Sequence, residues 1–193
     1  MKMLVLLWLL VPTLALGMTL EELSEQLRSH AVVRGSFVQE KHLRALAQPL
    51  VSSGRFVLAQ EHGLLWLLET PISQRYRINT QGVARWHEQQ WQPVPQGGAA
   101  AQQRLFLAAL GGDVAALQRD FEITLIESDT GWRAELTPRG ALLRQIFAGI
   151  QLIGAEVVQG IELQEQSGDR TVIRLQAEPA TTLAPAEQAE LDQ

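Results

Sequence analysis

The spacing of apolar side chains in residues 19–33 predicts an amphipathic helix at the start of the folded chain. Thr19 is followed three positions later by Glu22, which is the spacing of a capping box at a helix N-terminus. Because one face of this helix is apolar, we expect it to dock against the rest of the protein. The apolar positions at helical spacing are Leu20, Leu23, Leu27 and Ala31.

From Arg34 onward the pattern changes to short alternating runs, separated by Gly, Pro, Ser and Asn residues. Turn signals recur about every ten residues without helical patterns between them, so the runs predict an antiparallel meander of roughly ten strands. The predicted strands cover 35–42, 54–60, 64–70, 74–79, 83–88, 91–94, 120–127, 131–136, 148–153, 156–165 and 170–176.

Two segments between the strands have a different composition. Residues 99–118 are rich in Ala, Leu and Gln and are interrupted by Gly111 and Gly112, which predicts two short helices. Residues 141–147 fit either a short helix or the start of a strand. The sequence therefore predicts a mainly β (α+β) fold, in which an antiparallel sheet is accompanied by an N-terminal helix and short central helices.

Both ends of the chain are expected to lie outside a single domain of residues 18–176. Residues 1–17 have the basic start and apolar run of a secretory signal peptide, with a cleavage site before Met18. This segment predicts export from the cytosol. Residues 177–193 are rich in Ala, Pro and Glu, and we expect them to be disordered.

The charge balance argues against nucleic acid as a partner. The chain has 16 Lys and Arg against 21 Asp and Glu, whereas nucleic-acid binding depends on neutralisation of phosphates by basic side chains. It also lacks a polybasic segment of the kind that holds proteins on anionic membranes. Because the chain contains no cysteine, disulfide bonds, thiolate metal sites and a cysteine nucleophile are excluded.

We find no residue arrangement typical of an active site. The histidines show none of the spacings of metal ligands, and their positions beside turns predict solvated side chains. No phosphate-binding glycine loop or nucleophile elbow occurs. We therefore expect a protein that is not an enzyme, with no catalytic residue, metal or cofactor. The histidines are His30, His42, His62 and His87.

The unusual feature of the predicted sheet is its content of large apolar side chains. Residues 63–68 are apolar on both phases of the strand, which an antiparallel strand requires only when both of its faces are covered. The cover could be a closed core or a cavity. A carrier of acyl chains needs such an apolar shelter, since each exposed CH₂ costs about 0.8 kcal/mol in water. The short helices would form a lid over it.

Four segments in this order resemble the LolA-type periplasmic lipoprotein carriers, and especially a divergent branch of that family. They are 35–41 (GSFVQEK), 49–56 (PLVSSGRF), 63–66 (GLLW) with Pro71, and 163–173 (LQEQSGDRTVI). The resemblance implies an incomplete, strongly curved antiparallel β-barrel with helices over its open side. It also implies a periplasmic monomer that moves acyl chains of lipoproteins or other lipids from an inner-membrane donor to an outer-membrane acceptor.

The resemblance and the apolar pattern together predict a lipid-binding cavity. The chain departs from the family at one point. In the family an arginine before the tryptophan holds the lid closed, whereas the corresponding stretch here, 60–63, contains no arginine. A lipid-sensing or protein-interaction module of the envelope is the second hypothesis, and an enzyme using scattered polar residues is the third. The predicted cavity residues are Phe37, Phe56, Leu58, Leu64, Trp66, Leu68, Tyr76, Ile78 and Trp86 in the sheet and Leu105, Phe106 and Leu110 in the lid.

Overall fold

The computed structural model describes residues 17–95, 97–180 and 182–193, so the predicted signal peptide lies outside the described residues except for Gly17. Within these ranges the chain forms five helices and eleven strands. The helices are α1 (Leu20–Arg28), α2 (Gly98–Leu110), α3 (Val114–Asp120), α4 (Ala141–Ile146) and α5 (Pro185–Leu191). The strands are β1 (Val32–His42), β2 (Leu50–Ala59), β3 (Gly63–Thr70), β4 (Gln74–Asn79), β5 (Gly82–His87), β6 (Gln90–Pro93), β7 (Phe121–Ser128), β8 (Gly131–Pro138), β9 (Phe147–Gly154), β10 (Val158–Glu165) and β11 (Arg170–Ala180).

All eleven strands belong to one antiparallel sheet in the order β6-β5-β4-β3-β2-β1-β11-β10-β9-β8-β7. The sheet is strongly curled but does not close into a barrel, so β6 and β7 are its edges. Short hairpins join most neighbours, while β1 pairs with both β2 and β11 and so joins the two halves of the chain. The predicted fold class, an incomplete curved antiparallel barrel with an N-terminal and several short helices, is confirmed.

The N-terminal helix is shorter than its sequence pattern predicts. Its capping box forms as expected, because the Glu22 amide donates to the Thr19 hydroxyl and the Thr19 amide donates to the Glu22 carboxylate. The helix ends at Arg28, however, and Ala31 is exposed in the connection to β1. The strand pairing of β1 begins at Val32 and competes with further helical turns for the backbone.

One face of the sheet, which we call the concave face, carries the main apolar core. Helices α1, α2 and α3 cover this face through buried side chains such as Leu23, Phe106 and Leu117. Apolar residues from every strand except β6 complete the core. The ambiguous segment 141–147 is resolved as the short helix α4 followed directly by β9.

The opposite face is partly covered by the C-terminal helix α5, where the sequence predicted a disordered tail. β11 extends to Ala180, and Leu191 of α5 is only 1% exposed. Leu191 packs in a second apolar cluster with Leu65 of β3. The composition of 177–193 hid this contact, because few apolar residues carry it. Both apolar faces of β3 are thus covered, one by the main core and the other by α5.

Candidate functional site

The centre of the concave face is a stack of aromatic rings around Trp66. The ring of Phe37 lies 3.9 Å from that of Trp66, at an interplanar angle of 20°. Phe56 is the direct cross-strand partner of Trp66, and their ring centroids are 6.0 Å apart. From the helical side, Phe106 of α2 lies 5.1 Å from Trp66. The predicted lid and the predicted sheet lining therefore meet at one tryptophan.

Gly54 explains how rings from two non-adjacent strands can stack. Phe37 is on β1 and Trp66 on β3, with β2 between them. The β2 residue paired with Phe37 is Gly54, which has no side chain to separate the rings. A Cβ added at Gly54 would also lie 1.9 Å from the carbonyl oxygen of Leu67, so this position requires glycine.

The structure brings eleven of the twelve predicted cavity residues to the concave face. Leu68 and Tyr76 are partly buried at the margin of its core. The buried members are Phe37, Phe56, Leu58, Leu64, Trp66, Ile78, Leu105, Phe106 and Leu110.

Trp86 is the exception, because it lies on the opposite face of the sheet. Its ring contacts Trp91 of β6 with centroids 5.3 Å apart, and the guanidinium of Arg75 lies 5.2 Å from the Trp86 ring. Trp91 packs against the second apolar cluster, which contains Leu191 of α5. The sequence assigned Trp86 to the cavity by its size, but the alternation along β5 places it on the other phase from Val83, which belongs to the main core.

The concave face is packed rather than hollow. A cavity of only about 10 Å³ lies between α1, α3 and the strands β7 to β9, and none of the twelve predicted residues lines it. Ligand pockets are usually about 300–1,000 Å³. The apolar lining of this small cavity includes Leu23, Leu117, Trp132 and Leu152, which the sequence analysis did not select as site residues. Only their strand and helix periodicity could have indicated them.

Helix α1 is held to its surroundings by hydrogen bonds from three polar side chains. The Gln60 side-chain amide donates a hydrogen bond of 3.2 Å to the carbonyl oxygen of Leu27, near the end of the helix. The Ser24 hydroxyl donates to the carbonyl of Gly112 at 2.7 Å, and the Gln26 amide donates to that of Ala155 at 2.6 Å. Gln60 lies in the stretch where the resemblance implies an arginine, and its neutral amide bonds the end of α1.

The charged groups lie away from the aromatic stack. The Arg174 guanidinium, 2.7 Å from Glu40, lowers the pKa of that carboxyl, and Arg170 lowers the pKa of Glu162 through a bidentate pair of 2.5 and 2.8 Å. Among the described residues, no group of three or more His, Asp or Glu could hold a metal ion.

One histidine differs from its predicted solvated position. The side chain of His30 is only 15% exposed, with its Nε2 atom 3.6 Å from a carboxylate oxygen of Glu156. His42, His62 and His87 are more accessible, and each also faces an acidic side chain. His30 is less exposed than predicted because it lies in the connection between α1 and β1, which packs beside Glu156 in the connection between β9 and β10.

Comparison with solved structures places this fold among known ones. A LolA superfamily protein from Nitrosomonas europaea matches with a TM-score of 0.50 at 11% identity, covering 86% of this chain and 96% of that chain. A DUF1329 family protein from Desulfovibrio piger matches with a TM-score of 0.48 at 11% identity, covering 89% and 96%. A putative outer membrane lipoprotein-sorting protein domain from Vibrio parahaemolyticus matches with a TM-score of 0.46 at 8% identity, covering 89% and 96%.

The fold thus defines a class: an open, curled antiparallel sheet with helices over its concave face. The described chain shares this fold with the LolA superfamily protein from Nitrosomonas europaea. No family model and no curated protein matches the sequence. In the described ranges, no helix has both the length and the apolar character needed to span a membrane.

Proposed function

We propose that this protein is a non-catalytic lipid carrier of the periplasm that shelters acyl chains against its concave face. Its signal peptide would be cleaved near Gly17 and Met18 during export. The carried chains would belong to lipoproteins or to other lipids. A donor in the inner membrane and an acceptor in the outer membrane would be its partners, and the carrier would act as a monomer.

The observation that carries the proposal is the contact between Phe106 and Trp66. It joins a short helix to the centre of a large apolar sheet face through side chains alone, with ring centroids 5.1 Å apart. Apolar contacts are non-directional, so a hydrocarbon chain can replace them with little loss when the helix moves away. Backbone hydrogen bonds hold the sheet together independently of the helices.

Because the interior is packed, acyl binding requires α1, α2 and α3 to move as a lid. The hydrogen bonds that Ser24, Gln26 and Gln60 make for α1 must then break or re-form. A single neutral hydrogen bond contributes about 0.5–1.5 kcal/mol, which is small beside the burial of a whole acyl chain at about 0.8 kcal/mol per CH₂. The hydrogen bonds of α1 are therefore a minor part of the cost of opening, most of which is apolar burial that the cargo would have to replace.

The packed interior itself favours a second candidate, a non-catalytic lipid-sensing or protein-interaction module of the envelope with the same fold. Such a protein keeps its core closed and acts through its surface. The cavity of about 10 Å³ agrees with that role as it stands, without any opening of the helices.

A titration of the purified protein with the fluorescent fatty acid cis-parinaric acid tests the carrier proposal. We expect saturable binding, accompanied by faster amide hydrogen exchange in α1 to α3 while β1 to β3 stay protected. Trp86→Leu, on the opposite face, is the matched control and should bind like the wild type. A folded wild type that binds no fatty acid contradicts the proposal.

A transfer assay between two vesicle populations separates the two candidates. A carrier accelerates the movement of a labelled lipid from donor to acceptor vesicles in proportion to its concentration. A sensing or interaction module binds lipid or a protein partner without accelerating transfer. Acceleration that is lost in Trp86→Leu would also contradict the proposal, because it would place the cargo on the wrong face.

A further inference from the structure

Exposed apolar side chains collect at one end of the sheet. The register places the connections 43–49, 71–73, 88–89, 139–146 and 166–169 at the same end of the strands, and we call these five segments the basic rim. Five of the seven large apolar side chains that are exposed in the described residues lie in this rim or at the β2 residues beside it. They are Leu46, Leu50, Val51, Ile72 and Leu142.

Hydrogen bonds join the central segments of the rim into one continuous surface. The backbone amide of Arg44 donates to the Asp169 carboxylate at 2.9 Å, and the Arg44 guanidinium donates to the carbonyl of Ser167 at 3.2 Å. On the other side of the same turn, the backbone amide of Gln166 donates to the carbonyl of Ile146 at the end of α4, at 2.9 Å. The segments that carry Leu46 and Leu142 are thus fixed relative to each other.

The charge of the rim is opposite to that of the whole chain. Its five segments contain Arg44, Arg139 and Arg144 against Glu88 and Asp169, in a chain whose formal net charge is -5. Arg139 and Arg144 are exposed and form no ion pair among the described residues.

The connections at the other end of the sheet have the reverse character. Their described residues include the acidic Glu61, Asp129 and Glu156 and no Lys or Arg; they are 29–31, 60–62, 80–81, 94–95, 97, 129–130, 155–157 and 182–184. The connecting segments at the two ends of the sheet therefore differ in the sign of their charge, and most of the exposed apolar side chains lie at the end whose connections are positive.

We propose that the basic rim docks on the surface of an anionic lipid bilayer. The apolar side chains stand on separate projecting segments, with Ile72 67% exposed and Leu142 70% exposed, which suits shallow insertion among headgroups. The neighbouring arginines pair with lipid phosphates. Leu50 shares its strand phase with Phe56, so a docked rim turns one end of the concave face toward the bilayer.

Flotation of the purified protein with vesicles of phosphatidylglycerol and phosphatidylethanolamine tests the proposal, with phosphatidylcholine vesicles for comparison. We expect binding to the anionic vesicles that weakens as salt increases. Replacing both Arg139 and Arg144 by Gln should weaken binding about 25-fold, at about fivefold for each arginine. The control Arg85→Gln changes an exposed arginine within β5 and should bind like the wild type.

The apolar contribution has its own matched pair of variants. The triple variant Leu46→Ser, Ile72→Ser, Leu142→Ser should lose anionic vesicle binding. The double variant Val38→Ser, Ile153→Ser removes exposed apolar side chains away from the rim and should keep it. Equal losses of vesicle binding in the two variants overturn the proposal, and so does a wild type that does not float with the vesicles. Capture of a protein through the rim, without vesicle binding, also overturns it. Fatty-acid uptake is measured separately, so failure here leaves the carrier proposal standing.

Discussion

The side-chain amide of Gln60 donates a hydrogen bond of 3.2 Å to the carbonyl oxygen of Leu27. The last four carbonyls of a helix lack partners within the helix, and Gln60, at the end of β2, supplies one for α1. This single contact ties the end of the N-terminal helix to the sheet at a position where the family resemblance implies an arginine. A glutamine side chain offers two N–H donors, whereas arginine offers a fork of five.

We predict that Gln60→Ala loosens α1. Removal of the amide leaves a partly buried carbonyl without its partner, which costs about 1 kcal/mol of unfolding free energy and raises amide exchange in α1 above that in β1. Hydrogen exchange followed by mass spectrometry measures both. Gln48→Ala, at an exposed loop position, should leave exchange unchanged. Equal protection of α1 in the wild type and Gln60→Ala would show that the hydrogen bond does not hold the helix.

We predict that Gly54→Ala disrupts the aromatic stack and lowers the unfolding free energy by about 1–3 kcal/mol or more. The added Cβ would lie 1.9 Å from the Leu67 carbonyl oxygen, so β2 or β3 must shift. Urea unfolding followed by tryptophan fluorescence measures the effect. Gly140→Ala is the control, because its added Cβ meets no atom within 4 Å. Similar stability of the two variants would refute the packing argument.

We predict that Leu191→Ala detaches α5 and destabilises the protein by about 2–5 kcal/mol, the range for truncating a buried leucine. Leu191 is 1% exposed beside Leu65, and its loss uncovers the apolar phase of β3. Increased binding of an apolar dye, together with urea unfolding, reports the change. Leu142→Ala removes an exposed leucine and should stay within about 0.5 kcal/mol of the wild type.

We predict that acidification weakens the pairing of β10 with β11. The pKa of Glu162 is lowered in the folded state by Arg170, so the folded protein holds the carboxyl proton less tightly than the unfolded chain. The resulting stability is present above the ordinary carboxyl pKa of 4.5 and is lost as pH falls through the lowered pKa of the folded state.

Glu162→Gln tests this linkage through urea unfolding at pH 7 and pH 3. At pH 7 the variant should be less stable than the wild type by up to about 1 kcal/mol, as expected for a solvent-accessible ion pair. At pH 3 the difference should shrink. Glu122→Gln changes an exposed carboxylate and serves as the control. A difference that is independent of pH would mean that protonation of Glu162 does not contribute.

Local sequence patterns predicted most of the fold because strands and turns have strong short-range signals. The alternation of apolar residues and the turn glycines located the strands to within a few residues. Gly63, for example, has a φ of 122° at the start of β3, directly after the turn from β2, a conformation that favours glycine. The apolar character of both phases of β3 correctly predicted two covered faces.

The two errors at this sheet have one cause, which is that strand phase and tail docking depend on distant partners. Trp86 was assigned to the cavity, yet its phase on β5 places it with Trp91 and Arg75 on the opposite face. The tail was assigned to disorder, yet α5 supplies the cover that β3 requires. Its acidic residues Glu187 and Glu190 pair with Arg34 and Arg75 on the sheet, an arrangement that composition alone does not reveal.

The sequence by itself determined the elements of this protein: a capped amphipathic helix, a meander of strands and short central helices, because these depend on the spacing of neighbouring residues. Only the tertiary structure decided that aromatic rings stack at the centre of the concave face, that α5 covers part of the other face, and that separate arginines and leucines gather at one rim. Each of these depends on which strands pair and in what register, so residues far apart in the chain had to be brought together before their packing and charge could be judged.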